Sequence, residues 1–375
     1  MADLKNMIAQ LEQVALEPAK AVAGIKSEGK KVVGMFPLYL PEEIVYAAGM
    51  IPVGMWGGQT EIKLADRYLQ SFCCSIIRAD LEMGMRGTYN MLDGVIMATY
   101  CDTLKCVCED WKVAVPQIPF IPMVYPQNRN IQPAIEYMKA EFSRVQAELE
   151  KIAGTTVTEE KLEAAWEVYE AYRAACRKFV KLVEKMPKTL NAKTRHLILK
   201  ASWFMDKKVY TEKLNAIMEA IEAAPAEEFN GTKVVVEGIM TEPLALLDAF
   251  VENNVCIIAD DLAHESRQFR TAGRTEGTVY ERMAYRIADA KGDALLYEEM
   301  KTKGQFLIDL VKDSKADGVV VCMMKFCDPE EYDYPIFKVE LEEAKVPMLY
   351  MEIEQKMDSV EPLKTRIQSF AEMLS

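Results

Sequence analysis

Apolar runs and amphipathic stripes alternate along this chain, and their order predicts an α/β protein. Lys30-Lys-Val-Val-Gly-Met-Phe36, Ile51-Pro-Val-Gly-Met-Trp56, Gly94 to Thr99 and Phe120-Ile-Pro-Met-Val-Tyr125 are short and largely apolar. Such runs fit strands covered on both faces. Pro41-Glu42-Glu43 opens a helix through Met50, with proline at a tolerated first-turn position. A later helical stretch carries Cys73 and Cys74. From Ile131 the spacing becomes helical: Ile131, Ile135, Met138, Phe142, Val145, Leu149 and Ile152 share one face, and Gly154 follows as a stop. A second helix begins near Thr156 or Thr158 and buries Leu162, Trp166, Tyr169, Cys176, Phe179, Val183 and Met186. Two more helices cover His196 to Met205 and Leu214 to Ile221.

The first pattern then recurs. Thr232-Lys-Val-Val-Val-Glu-Gly238 matches the strand at Lys31–Gly34, and Glu242-Pro243 matches the helix start at Pro41-Glu42. Val255–Asp261 matches Ile51–Trp56. Asp317-Gly318 to Cys327-Asp328 matches Asp93-Gly94 to Cys101-Asp102, and Pro347–Tyr350 matches Pro122–Tyr125. Repetition in this order predicts two similar units. Strands alternating with helices imply parallel sheets. The expected architecture is two flavodoxin-like or Rossmann-like parallel-sheet domains with a helical insert. The expected division is an N-terminal helix over 1–30, a first α/β domain over 31–130, a helical segment over 131–230 and a second α/β domain over 231–375. Neither G-x-G-x-x-G nor a P-loop occurs, so the fold alone implies no nucleotide.

At 375 residues the chain exceeds one ordinary core. Its net charge of -13 argues against nucleic acid, which needs a basic face. No run of eighteen apolar residues exists, so no membrane span is expected, and the N-terminus shows no signal-peptide core. A cytoplasmic location is the expectation. There the nine cysteines are free thiols or ligands rather than disulfides. With only His196 and His264 present, thiolate ligation outranks a histidine metal site.

The cysteines sort by position. Cys176 sits on a helix stripe, and Cys256 and Cys322 lie inside strand patterns, so these read as core. Cys106 and Cys108 follow Cys101 on one helix and face apart, so at most one reaches a shared site. Cys101 and Cys327 each close a strand and precede a helix, where an α/β sheet presents its chemistry. Asp102 or Thr103 can cap one helix and Asp328 the other, with Pro329 at its first position. A thiolate there gains from the helix dipole. One of Cys73 and Cys74 is a third candidate. Three such thiols fit a cubane with one iron free of cysteine. Packed thiols or a zinc site remain open on residues alone, although the paired spacing of structural zinc and the ferredoxin spacings are both absent.

Longer motifs carry a resemblance. Phe36-Pro-Leu-Tyr-Leu-Pro-Glu-Glu-Ile-Val-Tyr-Ala-Ala-Gly-Met-Ile-Pro-Val-Gly-Met-Trp-Gly-Gly58, Cys101-Asp-Thr, Asp260-Asp-Leu-Ala-His-Glu-Ser-Arg-Gln-Phe-Arg270 and Met323-Met-Lys-Phe-Cys-Asp-Pro-Glu-Glu-Tyr-Asp-Tyr-Pro335 resemble the 2-hydroxyacyl-CoA dehydratases, most closely the β subunits of the 2-hydroxyisocaproyl-, lactoyl- and phenyllactyl-CoA group. The resemblance spans essentially the whole chain. It implies an oxygen-sensitive lyase built as an αβ heterodimer with a homologous α subunit. Each subunit would hold one [4Fe-4S] cluster between two α/β domains, and an ATP-dependent iron–sulfur activator protein would supply one electron. It implies that the α cluster binds the 2-hydroxyacyl-CoA and the β cluster relays the electron. By motif, Cys74, Cys101 and Cys327 would be the ligands. Cys73 departs from the small residue expected there, which leaves the choice between Cys73 and Cys74 open.

The implied chemistry is syn or anti elimination of water. One electron added to the thioester carbonyl gives a ketyl radical anion that expels the neighbouring hydroxyl, and the β C–H becomes acidic. Glu43 and His264 are weak catalytic candidates, with capping or solvation as the plainer reading of Glu43. Arg267 and Arg270 could hold a CoA phosphate, dock a partner or form a salt bridge. Lys325 could tune the charge at the cluster, and His196 reads as structural. Two other readings stay open: an ATP-coupled iron–sulfur electron carrier without dehydratase activity, and a non-redox two-domain binding protein.

Overall fold

A computed structural model describes residues 2–36 and 38–374. The N-terminal stretch, expected as one helix, forms two, α1 (Ala2–Leu16) and α2 (Pro18–Ser27). Pro18 is the reason. It cannot continue the ladder of a preceding helix, but it is well placed in the first turn of a new one.

The first sheet follows as β1 (Val32–Phe36), α3 (Glu42–Ala47), β2 (Ile51–Gly54), α4 (Ser75–Met85), β3 (Gly94–Ala98), α5 (Asp102–Ala114) and β4 (Phe120–Met123). All pairings are parallel, in the order β2-β1-β3-β4. Four helices come next: α6 (Gln132–Ala153), α7 (Glu159–Lys181), α8 (Ala192–Ala201) and α9 (Lys207–Ala223). Gly154 closes α6 at φ 73°, and the Thr158 hydroxyl caps α7 by accepting from Lys161 N–H. The third and fourth helices start earlier than expected because Asn191 and Asp206 cap them, and the third ends earlier, in a 3-10 turn over Ser202–Phe204.

The second sheet comprises β5 (Thr232–Gly238), α10 (Leu244–Glu252), β6 (Val255–Leu262), α11 (Ser266–Phe269), α12 (Val279–Ala288), α13 (Lys303–Ser314), β7 (Gly318–Met324), α14 (Asp328–Glu343), β8 (Met348–Ile353) and α15 (Glu361–Leu374). Its order, β6-β5-β7-β8, is parallel and repeats the first. The fold class read from the pattern holds: two four-stranded parallel α/β sheets flanked by helices.

The repeat extends to single hydrogen bonds. The Asp93 carboxylate accepts from Val32 N–H at 2.8 Å, and Asp93 N–H donates to Val32 O at 2.8 Å. Asp317 does the same to Lys233, at 2.7 Å in both directions. Each aspartate pins the start of one central strand to the start of its neighbour. The glycine after it lets the chain pass closely, since a Cβ on Gly318 would stand 2.7 Å from Pro347 O.

One apolar core unites the two units. Val33 and Ile96 of the first sheet, Val234 and Val320 of the second, and Phe142 and Trp166 of the central helices belong to a single buried cluster. In both sheets the strand order reverses beside the first strand, so β3 and β7 end where such folds open a crevice.

Candidate functional site: three thiols at helix N-termini

Cys74, Cys101 and Cys327 occupy equivalent positions on three helices. Each is the N-cap residue, of α4, α5 and α14 respectively. The free amides of a first helical turn point past such a residue. Leu104 N–H donates to Cys101 Sγ at 3.4 Å. Amides of Ile76 and Ile77 face the Cys74 thiol, those of Thr103 and Leu104 face Cys101, and that of Glu330 faces Cys327. The three thiols also act on one another: Cys101 raises the pKa of Cys74, and both raise that of Cys327.

Burial governs their protonation. It pushes Cys74 up to about 12 and raises both Cys101 and Cys327, against the opposing pull of the amides. Unliganded, all three are thiols. A group that binds them must displace their protons and supply positive charge.

The capping differs from the sequence expectation. Cys73 and Cys74 were expected on a helix; both precede it. Ser75 begins α4, and its hydroxyl donates to Met324 Sδ at 3.3 Å and accepts from Gln355 N–H at 3.1 Å. These contacts tie the start of α4 to the second α/β unit. Asp102, Thr103 and Asp328 were expected as caps. The cysteines themselves take that position, and Asp328 and Pro329 fall within the first turn of α14. The turn before Cys327 is strained: Phe326, bulky and not glycine, adopts φ 63°, which costs about 1–3 kcal/mol.

The other cysteines separate from this set. Cys108, Cys176, Cys256 and Cys322 are buried and Cys106 is exposed. Cys73 is half-buried and bonds to Thr103.

The remaining sequence candidates are internal. Glu43, with solvation as one plain reading, is 1% exposed and ion-paired to buried Arg173. Arg267 and Arg270 are not free for phosphate. Arg267 pairs with Asp261 (2.9 Å), Glu330 (2.6 Å), Glu237 (3.2 Å) and Asp293 (3.4 Å), and Arg270 pairs with Asp261. The Lys325 ammonium lies 5.2 Å from the Phe326 ring centre. Sequence reasoning missed the contacts of Ser75 and Gln355, whose partners lie far away along the chain.

His196, His264 and Glu265 place donor atoms within 4.8 Å of one another, the only such set among the described residues. Its bonding opposes a cation. Both ring nitrogens of His196 face carboxylates, Glu265 at 2.8 Å and Glu242 at 3.3 Å, and against the pull of burial these raise its pKa, which favours the imidazolium form with both nitrogens donating. His264 stacks on it with centroids 5.5 Å apart; burial and that neighbouring charge push it down to about 3. Arg195 and Lys200 neutralise the carboxylates further. Cys74, Cys101 and Cys327 do not form a set of donor atoms that all lie within 4.8 Å of one another. Soft donors at wider spacing, beside free amides, suit a polynuclear iron–sulfide group better than a lone metal.

The fold and this thiol triad define a duplicated α/β protein with a candidate sulfur-ligated centre between its halves. Comparison with known sequences narrows the class. The family profile described as "2-hydroxyglutaryl-CoA dehydratase, D-component" matches residues 37–374. The β subunit of lactoyl-CoA dehydratase from Anaerotignum propionicum is 41% identical over 377 residues, covering 100% of both chains. The β subunit of (R)-phenyllactyl-CoA dehydratase from Clostridium sporogenes is 41% identical over 350 residues, 93% of each chain. That of (R)-2-hydroxyglutaryl-CoA dehydratase from Acidaminococcus fermentans is 37% identical over 99% of this chain and 100% of its own. The chain belongs to the 2-hydroxyacyl-CoA dehydratase family, as its motifs implied. No helix among the described residues is long and apolar enough to cross a membrane.

Proposed function

We propose that this chain is the electron-relaying β subunit of an (R)-2-hydroxyacyl-CoA dehydratase, with Cys74, Cys101 and Cys327 as the protein ligands of a [4Fe-4S] cluster. The observation that carries this reading is the approach of three thiols, contributed by both sheets, at three helix N-termini. Such a cluster, when bound, supplies low-potential one-electron chemistry. The chain's own part is electrostatic and positional. First-turn amides of α4, α5 and α14 donate towards the sulfurs, and the positive helix ends ease the gain of negative charge. The ionic network around Arg267 holds the first turn of α14 through Glu330.

The names of the β-subunit relatives support a homologous α subunit as partner and a 2-hydroxyacyl-CoA as substrate of the assembled enzyme. Loss of water to an enoyl-CoA is the reaction, and an ATP-dependent iron–sulfur activator is the electron donor. Burial of Glu43 in its ion pair and of His264 against His196 supports neither as the base in this chain.

The test is strictly anaerobic purification with the sister subunit. The expected product is brown, carries about four irons per chain, and dehydrates a 2-hydroxyacyl-CoA once the activator and ATP are added. A colourless, iron-free chain from that preparation overturns the cluster. Iron without dehydration in the complete mixture overturns the assigned reaction.

A further inference from the structure

Two cysteines outside the capping triad sit on the same two elements that present Cys74 and Cys101. Cys73 lies in the turn before α4, half-buried and next in sequence to Cys74. Cys106 lies in the second turn of α5 and is exposed. Both are free thiols, and the electron-relay reading uses neither.

Thr103 brings them together. The Cys73 thiol bonds to Thr103, in the first turn of α5. Thr103 and Cys106 are three residues apart on that helix, so they share one face with Cβ atoms about 5–6 Å apart. The Cys73 thiol therefore lies within one helical turn of Cys106. Cys73 also registers this neighbour: its pKa is raised, chiefly by burial, and Cys106 adds to the rise. Cys108 is two residues further along, which turns it to another side of α5, and it is buried there. Cys74 faces its own partners, the amides of Ile76 and Ile77. A disulfide needs Cβ atoms about 3.5–4.5 Å apart. Gln70, Ser71 and Phe72 are exposed, which leaves the turn carrying Cys73 room to shift that far.

We propose that Cys73 and Cys106 form a redox-active dithiol, closed to a disulfide by exchange with a low-molecular-weight disulfide. Two exchanges balance the step. Exposed Cys106 gives its proton to solvent and attacks one sulfur of the small disulfide. That S–S bond breaks, a mixed disulfide forms on Cys106, and one small thiolate leaves and takes up a proton. Cys73 then loses its proton and attacks the Cys106 sulfur. The mixed disulfide breaks, the Cys73–Cys106 bond forms, and the second small thiol leaves. The two protein sulfurs lose two electrons, and the small disulfide gains them. The new bond ties the turn that carries Cys74 to the helix that Cys101 caps. The dithiol stands whatever the three capping thiols hold.

The test uses the full chain, purified anaerobically and freed of reductant. It is incubated with glutathione disulfide, blocked with N-ethylmaleimide and mapped by mass spectrometry without reduction. A peptide joined through Cys73 and Cys106 is expected, and dithiothreitol should remove it. Cys73→Ser is expected to stop with glutathione on Cys106. Cys106→Ser is expected to lose the joined peptide. A wild-type chain that keeps glutathione on Cys106, joins Cys73 to a different cysteine, or leaves both thiols free overturns the proposal. So does a disulfide at Cys73 formed in equal yield by Cys106→Ser. Iron measured in parallel keeps the two readings apart. A Cys73–Cys106 bond in an iron-free chain refutes only the cluster, and an iron-bearing chain without that bond refutes only the dithiol.

Discussion

Arg267 donates to the Glu330 carboxylate at 2.6 Å, and the backbone N–H of Glu330 faces the Cys327 thiol. One guanidinium thus fixes the helix turn that presents a candidate ligand. The surrounding network is close to neutral. Arg267, Arg270 and Lys303 face Glu237, Asp261, Asp293 and Glu330, and burial beside Glu330 pushes Glu237 up until it keeps its proton.

Arg267→Met leaves Asp261 and Glu330 buried without their main cation. A loss of about 3–5 kcal/mol is expected, read as a lower urea midpoint. Arg267→Lys should recover only part of it, because an ammonium cannot reproduce the forked contacts. Wild-type stability in Arg267→Met would show that the network is not needed to hold α14.

Gln355 rivets the halves. Its side-chain amide donates to Trp56 O and accepts from Gly58 N–H, and its carbonyl accepts from Gln59 Nε2 at 2.8 Å. Gln355→Ala orphans buried backbone groups and is expected to cost about 1–3 kcal/mol. Hydrogen exchange at Gly58 should accelerate. Unchanged exchange there would place the connection between the halves elsewhere.

Cys73 and Cys74 differ in direction, which iron content can read. Cys74→Ser, Cys101→Ser and Cys327→Ser are each expected to lose most of the iron. Cys73→Ser and Cys176→Ser should keep it. Loss in Cys73→Ser equal to that in Cys74→Ser would mean the ligand assignment is wrong.

Asp80 sets a pH dependence. It is fully buried on α4, accepts from Tyr89 Oη, and burial pushes its carboxyl from the ordinary 3.8 up to about 8. The folded chain then keeps a proton that the unfolded chain releases. This contribution to stability is greatest below about pH 4 and declines as pH rises towards about 8. Asp80→Asn cannot ionise. It is expected to melt above wild type at about pH 9 and near it at about pH 4. Parallel melting curves for the two across that range would contradict the burial argument.

Much of the fold was legible because strand and helix periodicity are local. The apolar runs at Val32–Phe36 and Gly94–Thr99, and their counterparts after Thr232, indicated the repeated parallel sheet. The stripe from Ile131 to Ile152 and Gly154 located α6. The break at Pro18 was also local and readable, but the amphipathic pattern on either side of it hid two helices in one. The fate of Glu43 was not readable, because Arg173 stands 130 residues away. Nor was the tie at the start of α4, where Ser75 meets Gln355, 280 residues away.

The sequence by itself determined the duplicated α/β order, the Asp-Gly strand joints, the family and the three cysteines worth following. Only the tertiary structure decided that these cysteines cap their helices, that Arg267 serves Glu330 rather than an outside anion, and that Cys73 meets Thr103 of α5. Hydrophobic spacing is written in neighbouring residues. Which polar groups meet in the interior depends on how distant segments pack, and burial without water makes each such pairing obligatory.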